Sequence, residues 1–259
     1  MEYSDFKIHH LEGYIQSLYL VEYSDKLLLL DGGSRGDVLW IENFITKTLK
    51  RPISDLKLIV VTHLHPDHAG AAPHLREKYN IPIAGHPELD YWYLGYRGQM
   101  QHLIDTLLAW YVAVKSRDNY KRMWYPRSLK PDYEVCDGQS LPFFDDWEVI
   151  CTPGHTTHDI SVLNRNEKLI YIGDLAVKLG GKFNLPFPVS LPKVMGKSLD
   201  KVIDLDLHKI LFAHGGVVSK NPKEALLHVK SKLKSYPPHK FRKMKWFTNM
   251  NKAIKNYEE

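Results

Sequence analysis

Three histidines and an aspartate fall within six positions, His63-Leu64-His65-Pro66-Asp67-His68, directly after the apolar run Leu58-Ile59-Val60-Val61. The run reads as a short buried strand. A strand end aims neighbouring side chains into one pocket, and neutral imidazoles with a carboxylate are the ligands that zinc, iron or manganese take. Solvated histidines are common singly. Four ligands at this spacing behind a buried strand point to a metal site, so the chain needs a fold that presents ligands on loops at a sheet edge.

The 259 residues are enough for a sizeable core, in one large domain or two small ones. A hydrophobic fraction of 44% and a charged fraction of 25% fit a soluble globular protein. No apolar run approaches the roughly 20 residues that span a bilayer, so no membrane partner is expected. The N-terminus lacks a basic segment followed by an apolar one. Only two cysteines occur, Cys136 and Cys151, too few for a disulfide framework. A cytoplasmic location is the expectation. The net charge of +5 is uneven, because Lys220 to Lys255 is strongly basic. Interleaved Ala225, Leu226, Val229 and Leu233 favour an amphipathic helix with a solvated face over a phosphate-binding surface.

Along the chain, Tyr14–Val21 and Lys26–Leu30 have strand composition, the second running into Asp31-Gly32-Gly33. The glycines allow a sharp turn, and Asp31 there can hydrogen-bond a ligand histidine. Asp37–Lys50 has helical spacing. Asp67 is expected to cap a helix over Ala69–Tyr79, with Gly70 letting backbone approach the metal pocket. Ile81–Ala84 is a short strand. Residues 86–131 read as a helical insertion with a helix over His102–Val114. Its aromatic start offers Tyr91, Tyr93 and Tyr96 as substrate-facing side chains, or as rings that pack the insertion on the core. Strands follow at Trp147–Cys151, Asp159–Leu163 and Lys168–Ile172. Leu179–Met195 reads as a loop in which Phe183 and Phe187 could face a pocket. A short helix is expected over Leu199–Leu207 and a strand over Lys209–Ala213.

Four strand ends carry candidate ligands: His63, His65, Asp67 and His68 at the first, His155 in Thr152-Pro153-Gly154-His155-Thr156, Asp174 after Gly173, and His214 before Gly215. Together these motifs resemble the metallo-β-lactamase superfamily, in its glyoxalase II and lactonase-like branch, over about Tyr14 to Gly216. The resemblance implies an α/β (α+β) fold, a four-layer αββα sandwich with metals at one edge between the sheets. It makes residues 1–259 a single domain, with the insertion at about 86–131 and a basic helical segment at about 220–259. By the family pattern His63, His65 and His155 hold one metal, Asp67, His68 and His214 hold a second, and Asp174 bridges both. The β-lactamases that use a cysteine near the position of Asp174 fit less well, as do flavodiiron proteins, which carry glutamate where this chain has His65.

Two divalent ions, zinc first and iron or manganese otherwise, lower the pKa of a shared water from 15.7 toward about 7. The implied function is a binuclear metal-dependent hydrolase that directs a metal-bridging hydroxide at a thioester, ester or lactone, with Asp67 as the orienting catalytic residue. A small-molecule substrate is expected. A phosphodiesterase or nuclease on nucleic acid is the second reading, not favoured. A mono-iron oxidoreductase of the persulfide-dioxygenase kind is the third.

Overall fold

The computed structural model describes residues 1–117 and 121–236, with Asn251, Ala253, Ile254 and Tyr257. Two six-stranded sheets face one another. The first runs in the order β1 (Lys7–Glu12), β2 (Ser17–Glu22), β3 (Leu27–Leu30), β4 (Leu56–Val61), β5 (Ile83–Gly85), β6 (Tyr133–Glu134). In the second sheet β7 (Ser140–Leu141), β8 (Phe144–Cys151), β9 (Ile160–Asn164) and β10 (Leu169–Tyr171) follow in chain order, and β13 (Lys209–Phe212) and β14 (Gly216–Val218) complete the far edge. A separate hairpin joins β11 (Val177–Leu179) and β12 (Lys182–Asn184). The helices are α1 (Val38–Asn43), α2 (Pro66–Ala69), α3 (Ala72–Tyr79), α4 (Gly95–Arg117), α5 (Pro192–Ile203) and α6 (Pro222–Ser231).

The period of two along a strand explains the layers. Leu28 and Leu30 of β3, with Leu58 and Val60 of β4, meet Trp147, Val149, Val162, Tyr171 and Leu211 of the other sheet. Their neighbours Leu27, Leu29, Ile59 and Val61 turn outward onto Ile41, Ile45 and Leu75. On the far side Ile150, Leu163, Ile170 and Phe212 pack under Met195, Leu199, Val202, Leu226 and Val229 of α5 and α6. Strands covered on both faces carry continuous apolar runs, as Leu27–Leu30 does. The result is the αββα sandwich.

Several local readings change. β1 is an additional strand, half-exposed along its length, with Ile8 and Leu11 buried. The first-motif helix is split. Pro66 opens α2 at its first turn after an extended His65, and α3 starts separately at Ala72. Asp67 therefore lies inside α2 and does not cap it. Gly70 makes its close approach both to the backbone of Ser34 and Arg35 and to the turn of the first motif: an added Cβ would stand 2.5 Å from Arg35 N and 2.5 Å from the Pro66 carbonyl. The helix expected over Leu199–Leu207 begins at Pro192, a residue suited to a first turn, and ends at Ile203. The loop before it contains the β11–β12 hairpin.

The helix of the 86–131 region is longer than its apolar core suggested, 23 residues over Gly95–Arg117. In α6 the buried Ala225, Leu226 and Val229 form the inward face. Lys240, Arg242, Lys243 and Lys245, which contribute to the basic segment, lie outside the described residues. Among the described residues no helix is long and apolar enough to cross a membrane.

A candidate metal centre

The ligand candidates converge at one edge of the sandwich, on the loops that follow β4, β8, β10 and β13. They form three overlapping sets: His63, His65 and His155; Asp67, His68 and His214; and His63, His68 and Asp174. In each, the donor atoms lie within 4.8 Å of one another. Asp174 joins the first two. Its Oδ2 is 3.4 Å from His155 Nε2, while its Oδ1 is 3.5 Å from both His68 Nε2 and His214 Nε2.

The outer nitrogen of three of these imidazoles, His63, His68 and His155, is fixed by a hydrogen-bonded neighbour, which turns the other nitrogen inward. Thr62 Oγ1 donates to Asp31 at 2.8 Å and so accepts from His63 Nδ1 at 3.1 Å. His155 Nδ1 donates to the Pro188 carbonyl at 2.6 Å. His68 Nδ1 donates to Asp31 Oδ2 at 2.6 Å. His65 is turned the other way. Its Nδ1 is inside, 2.9 Å from His155 Nε2, and its Nε2 faces Asp105 of α4 at 3.8 Å.

Asp31 is fully buried at the end of β3, at φ +83. Besides His68 and the Thr62 hydroxyl, its carboxylate accepts from Gly32 N, Thr62 N and the Tyr171 hydroxyl. Gly32 is needed where α2 crosses this turn, since an added Cβ would stand 2.6 Å from the His68 carbonyl. The His155 loop is braced by Asp159, which accepts from Gly154 N, Thr156 N and Thr156 Oγ1. Gly154, at φ +151, leaves no room for a side chain against Met195.

The electrostatics favour cations here. Burial holds His63 and His65 well below the usual imidazole range, assisted by the other histidines, so both are neutral donors. Burial would also lower His68, but Asp31, Asp67 and Asp174 outweigh it and raise it to about 10. His214 rises for the same reason, with Asp174 and Asp67 opposing its burial. Against burial, His68 and His214 hold the Asp67 carboxyl well below its usual range. Three carboxylates thus draw positive charge to this point. Buried His63 Nε2, His68 Nε2 and Asp174 Oδ1 have no hydrogen-bond partner, and all three belong to one donor set. Orphaned polar atoms of this kind are costly unless something ligates them. The donor set fits divalent metals.

Of the aromatic candidates, Tyr93 reaches this neighbourhood. It is buried, and its hydroxyl donates to Asp105 Oδ2 at 2.9 Å. Tyr91 stands exposed, and Tyr96 lies on the opposite side of α4 from Asp105. Phe183 packs on Phe212 in the outer core of the second sheet, with ring centroids 5.9 Å apart. Phe187 is partly exposed beside Pro188. Sequence reasoning passed over Asp105, Tyr125 and His158. Burial raises Asp105 to about 7 despite hydrogen bonds from Tyr93 and Gln101. Tyr125 donates to the Leu64 carbonyl, and His158 Nε2 accepts from Leu64 N. Trp92 packs its ring on His65 and His158. A lone carboxylate inside the apolar run Met100–Val114 was the available signal for Asp105.

The family model of the metallo-beta-lactamase superfamily matches residues 11–214. The chain belongs to that superfamily. It is 30% identical over 194 residues, 70% of this chain and 68% of the other, to a metallo-beta-lactamase fold-containing protein of Sulfurisphaera tokodaii. It is 25% identical over 176 residues to a probable metallo-hydrolase of Bacillus subtilis; that match covers 66% of this chain and 64% of the relative. The match thus spans just under two thirds of the Bacillus protein. Among solved structures, a metallo-beta-lactamase family protein of Thermus thermophilus aligns with a TM-score of 0.66 at 20% identity, over 88% of this chain and 79% of the other. The metallo-beta-lactamase FIM-1 of Pseudomonas aeruginosa, in its mono-zinc form, aligns with a TM-score of 0.60 at 16% identity, over 90% of this chain and 91% of the other. Family and site chemistry together make this a metal-binding protein of a metallo-hydrolase superfamily.

Proposed function

We propose that the chain is a binuclear metal-dependent hydrolase of small carboxylic thioesters, esters or lactones, with zinc as the preferred metal. The observation that carries the binuclear reading is the division of Asp174, one oxygen toward His155 and the other toward His68 and His214. His63, His65 and His155 would hold one ion, and Asp67, His68 and His214 the other. When bound, the ions supply Lewis acidity and acidify water near neutral pH.

The protein's own contribution is positional. Asp31, Thr62 and Pro188 set which nitrogen of His68, His63 and His155 faces inward. Asp67, 3.3 Å from His214 Nε2, keeps its carboxylate ionised and able to orient a water proton. Trp92 and Tyr93 make the insertion side aromatic, which suits an acyl group better than a polyanion.

Stripping the protein with a chelator should abolish hydrolysis, and refilling with zinc, manganese or iron should restore it, with two metals per chain by elemental analysis. A metal-replete sample inactive on thioesters, esters and lactones would end the carbonyl reading. Activity on a phosphodiester in the same panel would transfer the site to nuclease chemistry. One iron per chain would favour the oxidoreductase.

A further inference from the structure

The outward face of α4 is apolar over most of its length. Met100, Leu103, Leu107 and Tyr111 follow helical spacing and are each between 43% and 58% exposed, with Leu108 at the edge of the stripe at 49%. From Met100 to Val114 the only charged residue is Asp105, and it is turned inward to Tyr93 and His65. A helix apolar all round is ordinarily buried, and a contiguous exposed patch of this kind marks an interaction surface.

Its ends are cationic. Arg97 and Lys115, both exposed, bracket the stripe. They are 18 residues apart, a whole number of turns, so they lie on the same side of the helix about 27 Å from one another. Between Tyr91 and Lys130 the sequence carries seven lysines and arginines against two aspartates, one of them Asp105. A second copy of the chain packed antiparallel on this stripe would set Arg97 against Lys115, and a parallel copy would set like residues together. Either arrangement juxtaposes like charges, and among the described residues the outward face of α4 carries no carboxylate to offset them. A surface that is apolar beneath and anionic on top matches both features. Exposed Tyr96 and Tyr111 add the amphipathic rings that settle at such a boundary.

We propose that α4 docks the protein peripherally on an anionic lipid surface, with Leu103, Leu107 and Tyr111 in the headgroup layer and Arg97 and Lys115 on anionic headgroups. The sequence-based expectation of no membrane partner concerned crossing a bilayer; lying against one needs no 20-residue run. The opposite face of the same helix carries Asp105, so docking would place the ligand cluster about one helix diameter, roughly 10 Å, from the lipid. The proposal is independent of the substrate assigned above.

The test is co-sedimentation of the full chain with vesicles of phosphatidylcholine alone and of phosphatidylcholine mixed with phosphatidylglycerol, beside light scattering without lipid. The chain should pellet with the anionic vesicles at low salt and be released as salt rises. The double change Leu103→Asp and Leu107→Asp should remove binding. Arg97→Glu with Lys115→Glu should weaken it by at least about tenfold, since each cation near an anionic surface contributes roughly fivefold. All four side chains are exposed, and unchanged circular dichroism would show that the variants fold. Failure to pellet with anionic vesicles, or equal binding to both vesicle types, would overturn the proposal. A dimer without lipid that Leu107→Asp dissociates would overturn it too, giving the stripe to a second copy.

Discussion

Asp105 on α4 points Oδ2 at His65 Nε2 from 3.8 Å, while His65 presents Nδ1 to His155 at 2.9 Å. His65 is thereby the one imidazole of its triplet that offers Nδ1 inward, and a carboxylate from the insertion faces the proton that must then sit on Nε2. Outer partners of this kind raise ligand basicity and hold ring orientation. Removing the carboxylate with Asp105→Ala is expected to weaken metal binding at the His63–His65–His155 set by about 10–100-fold. Chelator competition should show one weakened site and one unchanged. Equal loss at both sites would mean general disruption of α4.

Asp174→Ala removes the link between the two donor sets. Metal content should fall below two per chain, and turnover should be lost. His65→Ala should likewise abolish activity, by stripping a ligand from the first set alone. Wild-type turnover in metal-replete Asp174→Ala would refute a bridging role.

Asp31 accepts from five donors while fully buried, so its loss strands several of them at once. Asp31→Ala should cost about 3–5 kcal/mol in urea unfolding, the usual cost of removing one partner of a buried ion pair. Tyr171→Phe deletes one of the five bonds and should cost about 2 kcal/mol. A smaller effect for Asp31→Ala than for Tyr171→Phe would contradict this ranking.

His102 sits among the rings of Tyr93, Trp124 and Tyr125. Burial, with some help from Arg127, lowers it from 6.5 to about 4. Between these values the unfolded chain takes up a proton that the folded chain refuses. The stability from neutral His102 is therefore complete above pH 6.5 and lost as pH falls toward 4. Metal-free protein should unfold at lower urea at pH 4.5 than at pH 7, and His102→Phe should flatten that difference. An unchanged pH slope in the variant would assign it to other groups.

The seven-residue set was legible because each member stands next to punctuation that a strand end requires. Leu58–Val61 is apolar without interruption, so the residues after it must leave the sheet together. Gly154, Gly173 and Gly215 mark the other exits. Leu27–Leu30 was legible as a strand for the same reason, since both its faces are covered. β1 escaped notice because it alternates at an exposed edge and its apolar residues are few. The start of α5 was hidden by Gly196 and the proline-rich approach, although Pro192 is the kind of residue that opens a helix.

By itself, then, the order of residues determined the strand-end ligands, the metal chemistry they suit and the layered fold that carries them. These follow from short-range pattern: period two, glycine at turns, and donors adjacent in the chain. Tertiary structure alone decided that Asp174 divides its oxygens between two sets and that Asp31 is locked to His68. It also decided that Asp105, 40 positions beyond His65, turns from an apolar helix onto it. Those relations depend on where distant loops and an inserted helix come to rest against one sheet edge, and no local spacing encodes them. The His63–His68 run that constrains the fold becomes half of a centre only when β8, β10 and β13 bring their own ends beside it.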